Sequence, residues 1–334
     1  MLYYRAYGMI FRSDCELPLD RIHETSVVDY SVRFYDDANW FGLFHEFRSG
    51  YYVSSRRVKC GQPVVEVWKT EDCSRFLFRF YDGVEFIIDR RRGNIWVRSS
   101  LRTSLLQEGI QHLLFSLPGF LIGLRKSACL HGAAIGSGNS AIALLGKSYA
   151  GKSVLSANMA AQGIAVLSDE LVALDVGRDM VQVDYGLPWI CLRPGSLDWL
   201  QIDNCDGNRF GSRWHYLDED MVTWDLCRTG DPSQLKPRQL EAIYLLEPVE
   251  DSKCKPTLEH VPQHLALMAL MEAAGRTHIP YREFRPQEFS LLGSVVAAIR
   301  TYRLRYHLSG DSLVTLSDFL IKARGDLPEG RQNS

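Results

Sequence analysis

The sequence predicts a mixed α/β protein (α/β in type, or α+β) in two parts, a β-rich N-terminal domain over residues 1–100 and an α/β domain over residues 101–325. Three observations predict this. Residues 28–34 alternate apolar and polar side chains, as a half-buried strand does. Two apolar runs joined by Asp82-Gly83 predict a β-hairpin. From residue 141 onward an apolar strand pattern, a glycine-rich loop and a helical pattern follow one another, which is typical of α/β proteins.

The N-terminal domain is predicted to consist mainly of strands. The Asp-Arg-Arg-Arg-Gly segment at 89–93 predicts a solvated hairpin turn in preference to a binding patch. Apolar residues repeat at helical spacing over residues 104–115, so a helix is expected there and the domain boundary is placed near residue 100. The remaining predicted strands of this domain span 64–68, 76–81, 84–88 and 94–98.

The second domain is predicted to alternate strands and helices. A helix over 154–162 should end at Gly163, a residue suited to the position after a helix. Residues 171–174 either continue the preceding strand or pair back as another one. The regular series of βα units expected of an ordinary P-loop protein is missing after residue 175. The other predicted elements are strands at 128–135, 141–145, 164–167, 242–246 and 301–308, a turn at 136–139, helices at 262–274, 286–300 and 313–322, and a flexible tail over 326–334.

Composition excludes several classes of protein. The formal charge is −2 and the sequence pI is about 6.5, so no basic surplus indicates nucleic acid or an anionic membrane as the main partner. The eight cysteines include no C-x-x-C pair and suggest neither a disulfide framework nor a zinc site. The N-terminus lacks a signal-peptide pattern, and the most apolar stretch, 113–124, is too short to span a bilayer. A cytoplasmic protein is expected.

Residues 146–153 carry the most specific motif of the chain. They have the sequence G-K-S-Y-A-G-K-S, which matches the phosphate-binding P-loop pattern G-x-x-x-x-G-K-[ST]. A strand before the loop and a helix after it point backbone N–H groups and a helix N-terminus at one spot, which suits phosphate. The alternative, a glycine-rich turn before an amphipathic helix, is disfavoured by this context. The predicted nucleotide-binding residues are Gly146, Lys147, Ser148, Tyr149, Ala150, Gly151, Lys152, Ser153 and Val154.

Lys152 and Ser153 have individual roles in this pattern. Lys152 is expected to reach the outer phosphates, and the Ser153 hydroxyl is expected to ligate Mg²⁺. The predicted cofactors are therefore Mg²⁺ and a nucleoside triphosphate; ATP is taken as the donor, with GTP left open.

Asp169 is the candidate general base. It follows a strand that is expected to lie beside the P-loop strand, and parallel strands bring their carboxyl ends to one edge of a sheet. The alternative is an ordinary polar strand end at Asp169-Glu170. His131, between Leu130 and Gly132, is a weaker candidate, because such a histidine is more often a buried structural residue.

Together, the Leu-His-Gly run at 130–132, the loop, Gly163 and Ser168-Asp169-Glu170 resemble the core of the HPr serine kinase/phosphorylase family. The resemblance covers about residues 125–175. It implies a kinase domain with a fold like that of phosphoenolpyruvate carboxykinase, in which Lys152 binds phosphates and Ser153 binds Mg²⁺. It further implies that Asp169 accepts the proton of a serine hydroxyl and that His131 is its active-site partner. Hexamers occur in that family, so a homo-oligomer is a further expectation.

The chain departs from the family pattern at several positions. Tyr149 stands where a glycine is usual, and a negative φ is expected there. Glu170 replaces an aspartate and remains a candidate for metal or water contact. The segment 190–195 keeps an arginine, Arg193, as a possible transition-state contact, but lacks the metal-binding glutamate of bifunctional members, which favours one-way phosphorylation.

The β-rich front, with Tyr-Arg-Ala-Tyr-Gly at 4–8, resembles a divergent subgroup found in gene clusters for lasso peptides, which phosphorylates a peptide serine. The leading hypothesis is therefore a kinase acting on a serine of a peptide or small protein. The alternatives are an HPr-type regulatory kinase, a small-molecule P-loop kinase, and a nucleotide-binding regulatory module without catalysis. The β-rich front argues against the small-molecule kinase, and the presence of both Lys152 and Asp169 argues against the module.

Overall fold

The computed structural model describes residues 1–35, 46–47, 49–99, 105–178, 180–187, 189–200, 210–216, 219–225, 236–275 and 285–325. These residues form a mixed α/β structure, as the sequence predicts. The predicted tail at 326–334 lies outside the described residues. None of the helices in the described ranges is long and apolar enough to cross a membrane.

An eight-stranded sheet occupies the first hundred residues. Its order is β1-β2-β3-β8-β7-β6-β5-β4; β3 runs parallel to both of its neighbours and every other pair is antiparallel. The Asp82-Gly83 hairpin joins β6 to β7, and the 89–93 segment turns from β7 into β8, as predicted. The strands are β1 Leu2–Ala6, β2 Met9–Ser13, β3 Tyr30–Phe34, β4 Ser49–Val53, β5 Val65–Lys69, β6 Arg75–Phe80, β7 Val84–Asp89 and β8 Asn94–Ser99.

The helix predicted over 104–115 is interrupted. The α-helix α1 spans Leu105–Gln111, a π-helical turn follows at His112–Ser116, and α2 spans Pro118–Leu124. The Leu117 amide donates to the His112 carbonyl at 3.0 Å, five residues back. The two ring nitrogens of His112 lie 2.7 Å from Asp82 Oδ2 and 3.1 Å from Ser116 Oγ, so side-chain contacts fix this wider turn.

A second sheet forms the centre of the rest of the chain. Apolar side chains of α5 and α6 cover one of its faces, and those of α3 and α7 cover the other. A smaller sheet has the order β14-β16-β15. In chain order the elements are β9 Ala128–Ser137, β10 Ser140–Gly146, α3 Lys152–Ala161, β11 Ala165–Ser168, β12 Leu171–Val176, β13 Val181–Val183, β14 Trp189–Leu192, α4 Pro194–Leu200, β15 Phe210–Tyr216, β16 Glu219–Asp225, β17 Arg238–Val249, β18 Thr257–His260, α5 Gln263–Gly275, α6 Arg285–Ala298, β19 Arg300–His307 and α7 Ser312–Gly325.

The position predicted for the strand before Asp169 is wrong. β11 does not pair with β10: both pair antiparallel with β9, which lies between them. β12 pairs with β9 as well, Leu171 opposite His131, so β12 continues β11 past an irregularity at Asp169-Glu170. Because β10 and β11 are each antiparallel to β9, they run in the same direction. Their carboxyl ends therefore still meet at one edge of the sheet, which places Asp169 at the same edge as the 146–153 loop.

Candidate functional site

The 146–153 loop has the predicted strand–loop–helix arrangement. β10 ends at Gly146 and α3 begins at Lys152. Gly151, directly before the helix, has φ +88°, in the left-handed region that favours glycine. The β17 and β19 strands continue the sheet parallel to β10 on its other side, so the loop lies at the carboxyl edge of three parallel strands.

Lys152 points back into this loop. Its ammonium donates to the carbonyl oxygens of Gly146 at 3.1 Å and Lys147 at 3.2 Å, and the residue is only 8% exposed. A charged phosphate oxygen is a stronger acceptor for an ammonium than a neutral carbonyl. The arrangement therefore holds a cation inside the curve of the loop, with partners that an incoming phosphate could replace.

Asp169 is the most buried carboxylate of the site, at 3% exposure. Ser153 Oγ donates to its Oδ1 at 3.1 Å, and the Cys191 amide donates to its Oδ2 at 3.2 Å. Burial, followed by the nearby Glu170 charge, raises the pKa of Asp169 from 3.8 to about 7, although Ser153, Cys191 and Lys152 act in the opposite direction. A carboxylate of this kind is suited to accept a proton near neutral pH.

The structure also brings His131 and Glu170 together. His131 Nδ1 lies 3.5 Å from Glu170 Oε2, and the Gly132 amide donates to the Glu170 carbonyl at 3.0 Å. Glu170 has φ +70°, which marks the break between β11 and β12. Both side chains are partly exposed, so this pair lies at the surface of the site while Asp169 lies beneath it.

The conformation expected for Tyr149 is wrong. Its φ is +66°, where a negative value was expected, and its side chain is 75% exposed. The Arg193 guanidinium carbon lies 4.1 Å from the centre of the Tyr149 ring. At this position the loop therefore has the left-handed backbone conformation that glycine favours, and the tyrosine adds a ring that contacts Arg193.

The oxygen atoms at the site are suitable ligands for a magnesium ion that is also coordinated by the phosphates of a nucleotide. Mg²⁺ prefers hard oxygen ligands and is commonly held by one or two protein groups together with substrate phosphates. The Ser153 hydroxyl and the carboxylates of Asp169 and Glu170 supply such atoms. In the part of the chain that is described, no group of three histidine, cysteine, aspartate or glutamate side chains is placed to hold a metal by itself.

Two contributors to the site were missed by sequence reasoning. The Cys191 contact is made by a backbone amide, which leaves no mark in the sequence. Tyr7, 3% exposed, lies in the turn between β1 and β2, and its amide donates to the Tyr185 carbonyl at 2.5 Å. Burial and nearby groups that include Glu170 and Asp169 raise the pKa of its hydroxyl, so this side chain lies close to the site. The Tyr7-Gly8 pair between two short apolar runs is a turn signal, but nothing in it indicates which surface the turn contacts.

No family model matches the chain, and no curated protein matches it. Among solved structures, the chain is weakly similar to the Hpr(Ser) kinase/phosphatase from Coxiella burnetii, with 9% sequence identity and a TM-score of 0.32. That match covers 60% of this chain and 99% of the other. A TM-score at this level does not define a shared fold.

Proposed function

We propose that this protein is a nucleotide-dependent kinase that transfers a phosphoryl group from ATP to a serine hydroxyl of a peptide or small protein. The observation that carries the proposal is the contact of Asp169 with Ser153. A buried carboxylate with a pKa of about 7 accepts a hydrogen bond from Ser153, at the end of a loop that has the P-loop sequence pattern and leads into the N-terminus of α3.

The reaction assigns a task to each group. The loop amides, the N-terminus of α3 and Lys152 bind the phosphates. Ser153 and Glu170 would hold a phosphate-bound Mg²⁺, which would supply neutralising charge there. Asp169 takes the proton of the acceptor hydroxyl as that oxygen attacks the γ-phosphorus. The bond from the γ-phosphorus to the bridging oxygen breaks, and ADP leaves with the electron pair.

Asp169 can serve this purpose without losing its present partners. Each oxygen of an ionised carboxylate accepts about two hydrogen bonds, and only one to each oxygen is used by Ser153 and the Cys191 amide. The Ser153 oxygen can also offer a lone pair to a metal while its hydroxyl continues to donate a hydrogen bond to Asp169. His131 holds Glu170 from the other side, so that the exposed carboxylate keeps its place at the site.

The finer parts of the proposal rest on the sequence. Comparison with the resembled family supports a peptide acceptor of the lasso type, one-way phosphorylation and a homo-oligomer. Charge and the scattered cysteines support a cytoplasmic protein with no nucleic acid or membrane partner. An HPr-type protein remains the second acceptor to try.

The experiment incubates the full chain with Mg²⁺, γ-labelled ATP and a panel of serine-containing peptides and HPr-type proteins, and detects added phosphate by mass spectrometry. We expect phosphoserine on at least one acceptor, and loss of transfer with nearly unchanged ATP affinity in Asp169→Asn. Asp175→Asn, which alters an exposed carboxylate on β12, is the matched control and should retain transfer. Transfer by Asp169→Asn at the wild-type rate would overturn the general base, and absence of phosphate from every acceptor would overturn the kinase.

A further inference from the structure

The 146–153 loop is joined at two places to the end of β14 and the residue that follows it. At one, Ser153 and the Cys191 amide bind opposite oxygens of Asp169. At the other, Arg193 covers the ring of Tyr149 at 4.1 Å. Arg193 follows Cys191 by two residues, and Tyr149 precedes Ser153 by four. The two connections therefore tie different parts of the loop region to the same short segment, 191–193.

Tyr149 holds a conformation that is unfavourable for its residue type. A bulky residue at positive φ is a rare backbone state, and such residues concentrate at functional sites. Burial does not repay this cost, because the side chain is 75% exposed. The contact with Arg193 is the interaction that a glycine at this position could not make.

Arg193 is held in a way that suits a phosphate partner. A cation–π contact uses the charge of the guanidinium and takes up none of its N–H donors. Arginine presents a planar set of donors that matches phosphate oxygens. Since the aromatic ring belongs to the loop itself, the guanidinium stays at the loop before any phosphate arrives.

We propose that Tyr149 is a positioning residue, which holds the Arg193 guanidinium at the mouth of the 146–153 loop, where it meets the phosphoryl group in transit. This inference rests on the proposed kinase function. It adds a specific device: a tyrosine in the loop keeps the transition-state arginine in place.

A direct test follows the position of Arg193 by NMR, independently of turnover. The Hε proton of a guanidinium over an aromatic ring is shifted upfield by the ring current. We expect an upfield Arg193 resonance, assigned by its loss in Arg193→Ala, in the wild type and in Tyr149→Phe but not in Tyr149→Leu. Adding Mg²⁺ and a non-hydrolysable ATP analogue should move the wild-type resonance as the guanidinium turns to phosphate.

Kinetic measurements complete the test, with an acceptor that the wild type has been found to phosphorylate. We expect Tyr149→Leu to lower kcat about tenfold with little change in KM for ATP, Tyr149→Phe to restore most of the loss, and Arg193→Ala to lower kcat about 100-fold or more. In the Arg193→Ala background, Tyr149→Leu should not lower kcat any further. Identical Arg193 shifts in wild type and Tyr149→Leu, or additive losses in the double variant, would overturn the positioning role. Failure of the wild type to phosphorylate anything, with the NMR pattern as expected, would overturn the kinase and keep the placement of Arg193.

Discussion

Replacing Asp169 by asparagine removes an ionisable group and leaves a side chain of nearly the same shape in the same pocket. The amide oxygen can still accept from the Cys191 amide, which now donates to Oδ2 at 3.2 Å. The substitution therefore separates basicity from packing. We expect it to lower activity and raise stability at the same time, because the proposed proton acceptor is also a carboxylate whose ionisation the fold opposes.

The size of the stability effect follows from the pKa. Burial and Glu170 raise the pKa of Asp169 from 3.8 to about 7, so the folded protein binds a proton that the unfolded chain has released. The contribution of Asp169 to wild-type stability is then largest below about pH 4 and is lost as the pH rises through 7. The full loss is on the order of 4 kcal/mol, and the part that falls between about pH 5 and pH 8 is about 3 kcal/mol. Asparagine does not titrate and escapes this loss.

Urea unfolding of the wild type and Asp169→Asn near pH 5 and near pH 8 measures the effect. The stability of the variant relative to the wild type should increase by up to about 3 kcal/mol between the two conditions. Asp184, whose pKa burial raises to about 6, destabilises both proteins alike and cancels in the difference. In the same preparations phosphoryl transfer should fall by about 100- to 10,000-fold. A stability difference that does not change with pH would refute the account of Asp169 as a buried base.

Three further outcomes are expected. The pH profile of kcat/KM for ATP should show an acidic limb near pH 7. The profile of kcat should show its acidic limb at lower pH, because bound Mg²⁺ favours the ionised form of Asp169. Acidic limbs at the same pH in both profiles would contradict this expectation. Gly132→Ala should destabilise the protein by about 2 kcal/mol in urea unfolding, since the added Cβ would lie 2.6 Å from the Leu144 carbonyl oxygen. The control is Gly293→Ala on α6, where the added Cβ meets no atom within 4 Å and should not destabilise the protein. Tyr149→Gly should be more stable than Tyr149→Ala by about 1 kcal/mol in thermal unfolding, because both lose the ring but only alanine keeps the strain of φ +66°; equal stability would argue against strain.

The sequence predicts local structure well wherever neighbouring residues decide it. Gly163 ends α3 with φ +80°, and Asp82-Gly83 joins β6 to β7, because both positions depend on the backbone preferences of a few residues. The loop motif is equally local. Strand order is not local, since nothing in the pattern of residues 164–167 states that β9 will separate β11 from β10.

Residue-type preference also failed where a distant contact decides the conformation. A tyrosine favours negative φ, but the partner that accompanies the positive φ of Tyr149 is Arg193, 44 positions further along the chain. The proximity of His131 to Glu170 could be expected only through resemblance, because it depends on the register of β12 against β9. The domain boundary near residue 100 and the roles of the site residues stay predictions.

The turn at Tyr7 links the first sheet to Asp169, and Gly186 is the position at which this link can be tested. A Cβ at Gly186 would lie 2.7 Å from Tyr7 Cε1 and 2.0 Å from Ser168 Oγ, and Ser168 directly precedes Asp169. Gly186→Ala must therefore push the turn and the Asp169 strand apart. We expect a loss of about 2 kcal/mol in urea unfolding, and a shift of the acidic limb of kcat/KM, because a looser pocket admits water to Asp169 and lowers its pKa. Gly195→Ala, whose Cβ meets no atom within 4 Å, is the matched control for the stability loss. If Gly186→Ala unfolds like the wild type and keeps its pH profile, the first sheet does not support the site through Tyr7, and the burial of Asp169 must come from β14 and α3 alone.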